Sequence, residues 1–147
     1  QSEKKNLHLQ IVGDGPERKS LEKLTHELRI EKYVEFFGTR PVDFVRSEFL
    51  PSIHIFVNPS LQEWLPTTVI EALAAQCRVV ATDVWGTREI LRYASFTLVA
   101  PKNVRALTDG MLNQIEFLSR ESVRPLPVSL FSWEQTFREV REIYNTF

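Results

Sequence analysis

Short runs of strand-forming residues alternate with segments of helical periodicity along the chain, and this alternation restricts the fold more than any other feature. LHLQIVG (7–13) is a β-type run broken by GDGP. In the ERKSLEKLTHELRI that follows, Leu21, Leu24 and Leu28 recur at helical spacing. Pro16 suits a first helical position, because the N–H it lacks would go unpaired there. YVEFFGT (33–39) is a second strand, followed by a turn at Arg40 and Pro41 and a short helix from Val42 to about Leu50. SIHIFVN (52–58) is a third strand, with His54 inside it.

From Leu65 the period is helical again, and Ile70, Leu73, Ala74 and Cys77 form one apolar stripe expected to face the core. RVVATD (78–83) is a buried strand, WGTREILR a short helix after a turn, and FTLVA (96–100) a fifth strand. Leu107, Met111, Ile115 and Leu118 mark a further helix despite Gly110, which costs about 1 kcal/mol relative to alanine. ESVRPLPVSL is a connector. The final FSWEQTFREVREIYNTF opens with Ser132 and Gln135 at capping-box spacing, and Trp133, Phe137, Val140 and Tyr144 lie along one side. Near-continuous apolar strands such as VVAT belong in a parallel sheet covered on both faces by helices. The expectation is a single α/β domain over residues 1–147, with its ligand edge at the carboxyl ends of the strands. VGDGP, FFGTR, NPSLQEWLP and TDVWGTRE occupy that edge.

Composition excludes several functions. The formal charge is −1, from 18 basic and 19 acidic residues that are interspersed, so no basic face points to nucleic acid. Cys77 is the sole cysteine, which rules out an internal disulfide and fits a reducing, cytoplasmic setting. His8, His26 and His54 are the only histidines and none is paired at ligand spacing, so no metal is expected. No apolar run reaches the roughly 18–20 residues that would span a bilayer.

EWLPTTVIE (63–71) carries the most chemistry. With Pro66 near the first helical turn, the amides of Thr67, Thr68 and Val69 lack intrahelical partners, and the helix dipole adds partial positive charge. Such an end accepts phosphate. The threonine hydroxyls add donors, and Glu71 lies one turn further along on the same side, where a carboxylate can accept two hydroxyl hydrogen bonds, as from a ribose. Glu63, ahead of the helix, can reach another part of the same ligand. An ordinary amphipathic helix with solvated acids also fits that spacing, and by spacing alone it is the commoner arrangement.

The segments IVGDGPERKSLEKL, VEFFGT, HIFVNPSLQEWLPTTVIEALAA, VVATDVWGTREIL and FSWEQ resemble, in order and approximate spacing, the C-terminal domain of retaining family-4 glycosyltransferases. The family's two glutamates separated by seven residues are matched by Glu63 and Glu71. The resemblance implies the Rossmann-like, donor-binding half of a GT-B enzyme, with the acceptor held by an N-terminal domain outside this chain, along with the first strand and cationic loop of the donor domain. It implies that Glu71 holds the ribose and that Glu63 sits beside the donor sugar at the catalytic centre. Trp64, Leu65, Pro66, Thr67 and Thr68 would line the sugar and phosphate pocket, Gly13 and Gly15 would border the diphosphate, and Arg40 would approach the base. The implied donor is a nucleotide-sugar, UDP-sugar ahead of GDP-sugar, used without bound metal. Implied too are polysaccharide or glycolipid assembly and peripheral association of the parent protein with the cytoplasmic face of a membrane.

The pattern has departures. Trp64 stands where the family commonly has glycine, Trp85 and Gly86 where it often has a glycine pair, Gln76 where it usually has glycine, and His54 where an aspartate is common. Two other readings therefore stay open. One is a noncatalytic binding or assembly module derived from the same fold; the other is a fragment of a GT-B sugar-nucleotide epimerase.

Overall fold

A computed structural model describes residues 7–90, 96–118 and 132–144. The connector at 121–130, Lys4 and Lys5, and the side chains of Trp133 and Tyr144 lie outside the described residues. The chain divides into two compact units, Gln1–Val45 and Arg46–Phe147.

In the first unit, β1 (Leu9–Val12) pairs in parallel with β2 (Val34–Gly38), and α1 (Arg18–Glu27) connects them. The register runs Leu9 to Val34 and Ile11 to Phe36, then slips at Val12, which pairs with Gly38. Helix α1 starts later than Pro16 suggests. The Arg18 amide donates to the Gly15 carbonyl at 3.1 Å, so Pro16 sits in a turn and Glu17 caps the helix. Leu21 and Leu24 are helical, Leu28 is the C-cap, and all three are exposed.

The helix expected from Val42 is present but not uniform. It comprises α2 (Val42–Phe44), a π-helical turn (Val45–Phe49) and α3 (Leu50–Ser52). Because the Ser52 hydroxyl closes α3 by donating to the Phe49 carbonyl at 2.7 Å, the next strand starts later than its apolar run suggests. His54 therefore lies exposed ahead of that strand, contributing its carbonyl to the Arg78 amide at 3.0 Å.

In the second unit, β3 (Ile55–Asn58), β4 (Arg78–Thr82) and β5 (Thr97–Val99) form a parallel sheet in that order. Val79, Val80 and Ala81 are buried in succession, so both faces of central β4 are covered. Helices α4 (Thr67–Ala74) and α6 (Val104–Phe117) both pack on it. The buried side of α4 is Val69, Ile70, Ala72 and Leu73, a face rotated slightly from the expected stripe so that Ala74 is only half-buried. Gly110 of α6 is required by close approach: a Cβ there would stand 2.9 Å from Val99 Cγ1 and 3.2 Å from Val80 Cγ1. Its propensity cost is offset by the packing it permits. Cys77 is buried and its Sγ donates to the Leu50 carbonyl at 3.2 Å; burial pushes the thiol up to about 11, so it stays protonated at neutral pH.

Helix α4 ends in a Schellman motif. The Gln76 amide donates to the Leu73 carbonyl at 3.1 Å and the Cys77 amide to the Ala72 carbonyl at 2.9 Å. The motif places Gln76 at φ 64°, a left-handed conformation that glycine adopts without cost. The Gln76→Gly variant is accordingly expected to gain about 0.5–1 kcal/mol, the left-handed penalty less glycine's extra unfolded-state entropy. Urea unfolding checks this. A midpoint that falls would mean the Gln76 side chain contributes more than its backbone costs.

Helix α5 (Trp85–Ile90) follows β4, and α7 (Trp133–Tyr144) ends the described chain. Ser132 caps α7 by accepting from the Gln135 amide at 3.2 Å. Gln135 does not reciprocate; its side chain donates to Glu139 at 2.7 Å. Phe137 and Val140 on this helix are exposed. Among the described residues no helix is long and apolar enough to cross a membrane.

Candidate functional site

The site of the second unit is built where β3 and β4 end side by side. The parallel register sets Asn58 against Ala81, so the loop leaving β3 lies next to the turn leaving β4. Side chains fasten the two together. Buried Asn58 accepts from the Ser60 amide at 3.2 Å through Oδ1, and the Thr82 hydroxyl donates to the Ser60 carbonyl. The Gly86 amide donates to the Glu63 carbonyl at 3.1 Å. Buried Thr87 braces the turn, its hydroxyl donating to the Thr82 carbonyl at 2.6 Å and accepting from the Val84 amide at 3.2 Å. Asp83 and Arg88 form a two-point ion pair at 2.9 and 2.6 Å, and the arginine's hydrogen bonds hold the Asp83 carboxyl below its ordinary range.

This scaffold carries Glu63 and Trp64. The Glu63 carboxylate is half-buried, with Asn58 Nδ2 donating to Oε1 at a long 3.4 Å. Trp64 packs edge-on against Trp85, ring centroids 6.0 Å apart and planes at 73°. Beside them is a pocket of about 370 Å³ lined by Leu61, Gln62, Glu63, Trp64, Val84 and Trp85.

The start of α4 differs from expectation by one position. Pro66 is the N-cap, at φ −75° and ψ 86°, rather than the first helical residue. Its carbonyl accepts from the amides of Val69 at 3.0 Å and Ile70 at 3.3 Å, so the Val69 amide is not available to a ligand. Pro66 itself has no N–H. Leu65, Thr67 and Thr68 have amides with no intramolecular acceptor among the described residues, and both threonines are exposed.

Glu71, one turn into the helix, is engaged by a residue that no sequence pattern singled out. Arg46, in the π-helical turn, donates to Glu71 Oε1 through Nη2 at 2.6 Å and Nε at 3.1 Å. Both contacts fall on Oε1; no hydrogen bond to Oε2 is present among the described residues. The two residues are 25 positions apart, beyond the reach of any helical or strand period. The π-helical turn, a rare conformation enriched at functional sites, left no signal in the apolar pattern.

Gly13, Gly15 and Arg40 belong to the first unit. Gly13 takes φ 121°, and its amide donates to the Gly38 carbonyl at 2.8 Å. The Gly15 amide donates to Asp14 Oδ1 at 2.8 Å. Exposed Arg40 has its guanidinium 5.7 Å from the ring centroids of both Phe37 and Phe44. Their expected roles rest on the resemblance. Among the described residues no cluster of three or more His, Cys, Asp or Glu side chains could hold a metal ion.

Residues 1–116 match the family of glycosyl transferases group 1. Among relatives, a phosphatidylinositol N-acetylglucosaminyltransferase component from Arabidopsis thaliana is 27% identical over 143 residues, covering 95% of this chain and 32% of that protein. TuaC of Bacillus subtilis, named for teichuronic acid biosynthesis, is 35% identical over 101 residues, 69% of this chain and 24% of its own length. Among solved structures, Anabaena HepE in complex with UDP superposes with a TM-score of 0.81 at 19% identity, over 96% of this chain and 41% of that one. The fold is therefore the Rossmann-like parallel α/β fold of GT-B glycosyltransferases. The chain spans about a third or less of the length of these two relatives.

Proposed function

The chain belongs to the group 1 glycosyltransferases, and from that premise we propose that it is the donor-binding part of a retaining, family-4 enzyme moving a sugar from a nucleoside diphosphate to an acceptor hydroxyl. One observation carries the reading. Among the described residues the amides of Thr67 and Thr68 have no partner at the head of α4, with Glu71 one turn inside the helix. A diphosphate at that end would receive those amides and the helix dipole, and Oε2 of Glu71, which Arg46 does not engage, would accept ribose hydroxyls. The departing diphosphate would be stabilised by fixed donors already in place, with no bound metal.

Glu63 is the carboxylate assigned to the donor sugar, beside the reacting bond. Its position on a fastened loop, among the residues that line a pocket, supports that role. UDP is the proposed nucleotide; the Anabaena neighbour, crystallised with UDP, favours it over GDP. The acceptor is assigned to the N-terminal part of the longer protein, working in polysaccharide or glycolipid assembly at the cytoplasmic face of a membrane.

Calorimetric titration of this chain with UDP and GDP tests the reading. Saturable binding of UDP, tighter than GDP and indifferent to EDTA, is expected. A folded chain that binds neither nucleotide would instead fit a noncatalytic module.

A further inference from the structure

Two of the three departures from the family's glycines, Trp64 and Trp85, meet in space. The rings come from different loops, yet they pack at 6.0 Å and 73° to form one corner. Neither serves the core: Trp64 is 74% exposed and Trp85 is 64% exposed. Large aromatic surface held open to solvent next to a pocket marks a binding site more often than it marks packing. The corner is also rigidly mounted. Trp85 opens α5, its neighbour Gly86 donates to the Glu63 carbonyl, and Glu63 precedes Trp64.

The chemistry of the lining narrows the ligand. Leu61, Val84 and the two indoles give apolar walls, while Glu63 and Gln62 give hydroxyl-binding groups. No lining residue is cationic, and the Glu63 carboxylate would repel phosphate. A corner with its planes at 73° gives a planar base one ring to stack on and sets the second ring across its edge. A pyranose fits, with a C–H face to lie on an indole and a rim of hydroxyls to meet Glu63 and Gln62.

We propose that Trp64 and Trp85 act together as a specificity-determining wall that grips the pyranose ring of the donor sugar. The inference rests on the donor-binding reading and adds that the sugar contributes its own share of affinity. Sugars with an unbroken C–H face are selected, and Trp85 belongs to the donor site.

The test compares UDP with UDP-glucose and UDP-N-acetylglucosamine by calorimetry, on the wild-type chain and on Trp64→Ala, Trp85→Ala and the double variant. Wild type is expected to bind at least one sugar conjugate about tenfold more tightly than UDP. Each single variant should lose that increment, its affinity for the sugar conjugate falling to that for UDP, while its melting temperature stays unchanged. Because the rings form one surface, the double variant should lose no more than either single one. Trp64→Phe and Trp85→Phe should retain most of the increment. If UDP binds but the wild type shows no sugar increment, or the alanine variants keep it, this inference fails and the donor-binding reading survives. If UDP does not bind, that reading fails and carries the inference with it.

Discussion

The Gly86→Ala variant is expected to lose about 2–3 kcal/mol of stability and, with it, nucleotide-sugar binding. A Cβ on Gly86 would stand 2.6 Å from the Trp64 carbonyl carbon and 2.8 Å from the Glu63 carbonyl oxygen. These are backbone atoms, so no rotamer change relieves the contact. The loop must move away, which also stretches the Gly86 amide bond to the Glu63 carbonyl. Helix propensity pulls the other way, since alanine inside a helix is favoured over glycine by about 1 kcal/mol. The sign of the change is therefore diagnostic. Thermal unfolding should show a fall on the order of 10 °C for a domain of this size, and a UDP-glucose titration should show affinity lost with it. A melting temperature equal to or above wild type would mean the loop is not held against α5 as described.

The Glu71→Ala variant is expected to weaken UDP binding about 30-fold, the equivalent of about 2 kcal/mol for hydrogen bonds to a charged acceptor. Folding should be nearly unaffected. The side chain of its partner Arg46 is 60% exposed, so the guanidinium left behind remains solvated. Arg46→Ala should weaken binding by a smaller factor, because it frees the carboxylate to rotate without removing it. Comparing UDP with its 2′-deoxy analogue sharpens the experiment: wild type should prefer the ribonucleotide, and Glu71→Ala should not. If Glu71→Ala binds UDP as wild type does, the ribose role is wrong and the ion pair with Arg46 is only a surface contact.

Much of this was legible in local sequence pattern. Apolar runs and periods located the five strands and helices α1, α4, α6 and α7 to within a few residues, since a side chain's face depends on its position within its own element. The proline and threonines of EWLPTTVIE marked the start of α4 to within one residue. The error there was also local: Pro66 took a non-helical ψ and became the cap, which gave its carbonyl to Val69 and Ile70. At Gln76 the left-handed geometry could be suspected, because a position where the family usually has glycine is often one that needs positive φ.

Other features were decided by tertiary structure alone. Nothing in the spacing of Arg46 and Glu71 joins them; a π-helical turn and the packing of α4 bring guanidinium to carboxylate. Trp64 and Trp85 each looked like a separate departure, and became one surface only because β3 and β4 are adjacent and in parallel register. The same adjacency makes Gly86 indispensable beside the Glu63–Trp64 backbone. The sequence by itself determined the elements and which segments leave the carboxyl ends of the strands, because those follow from short-range periodicity and turn and helix-end chemistry. Which loops touch there depended on strand order and register, long-range choices made when the sheet assembles.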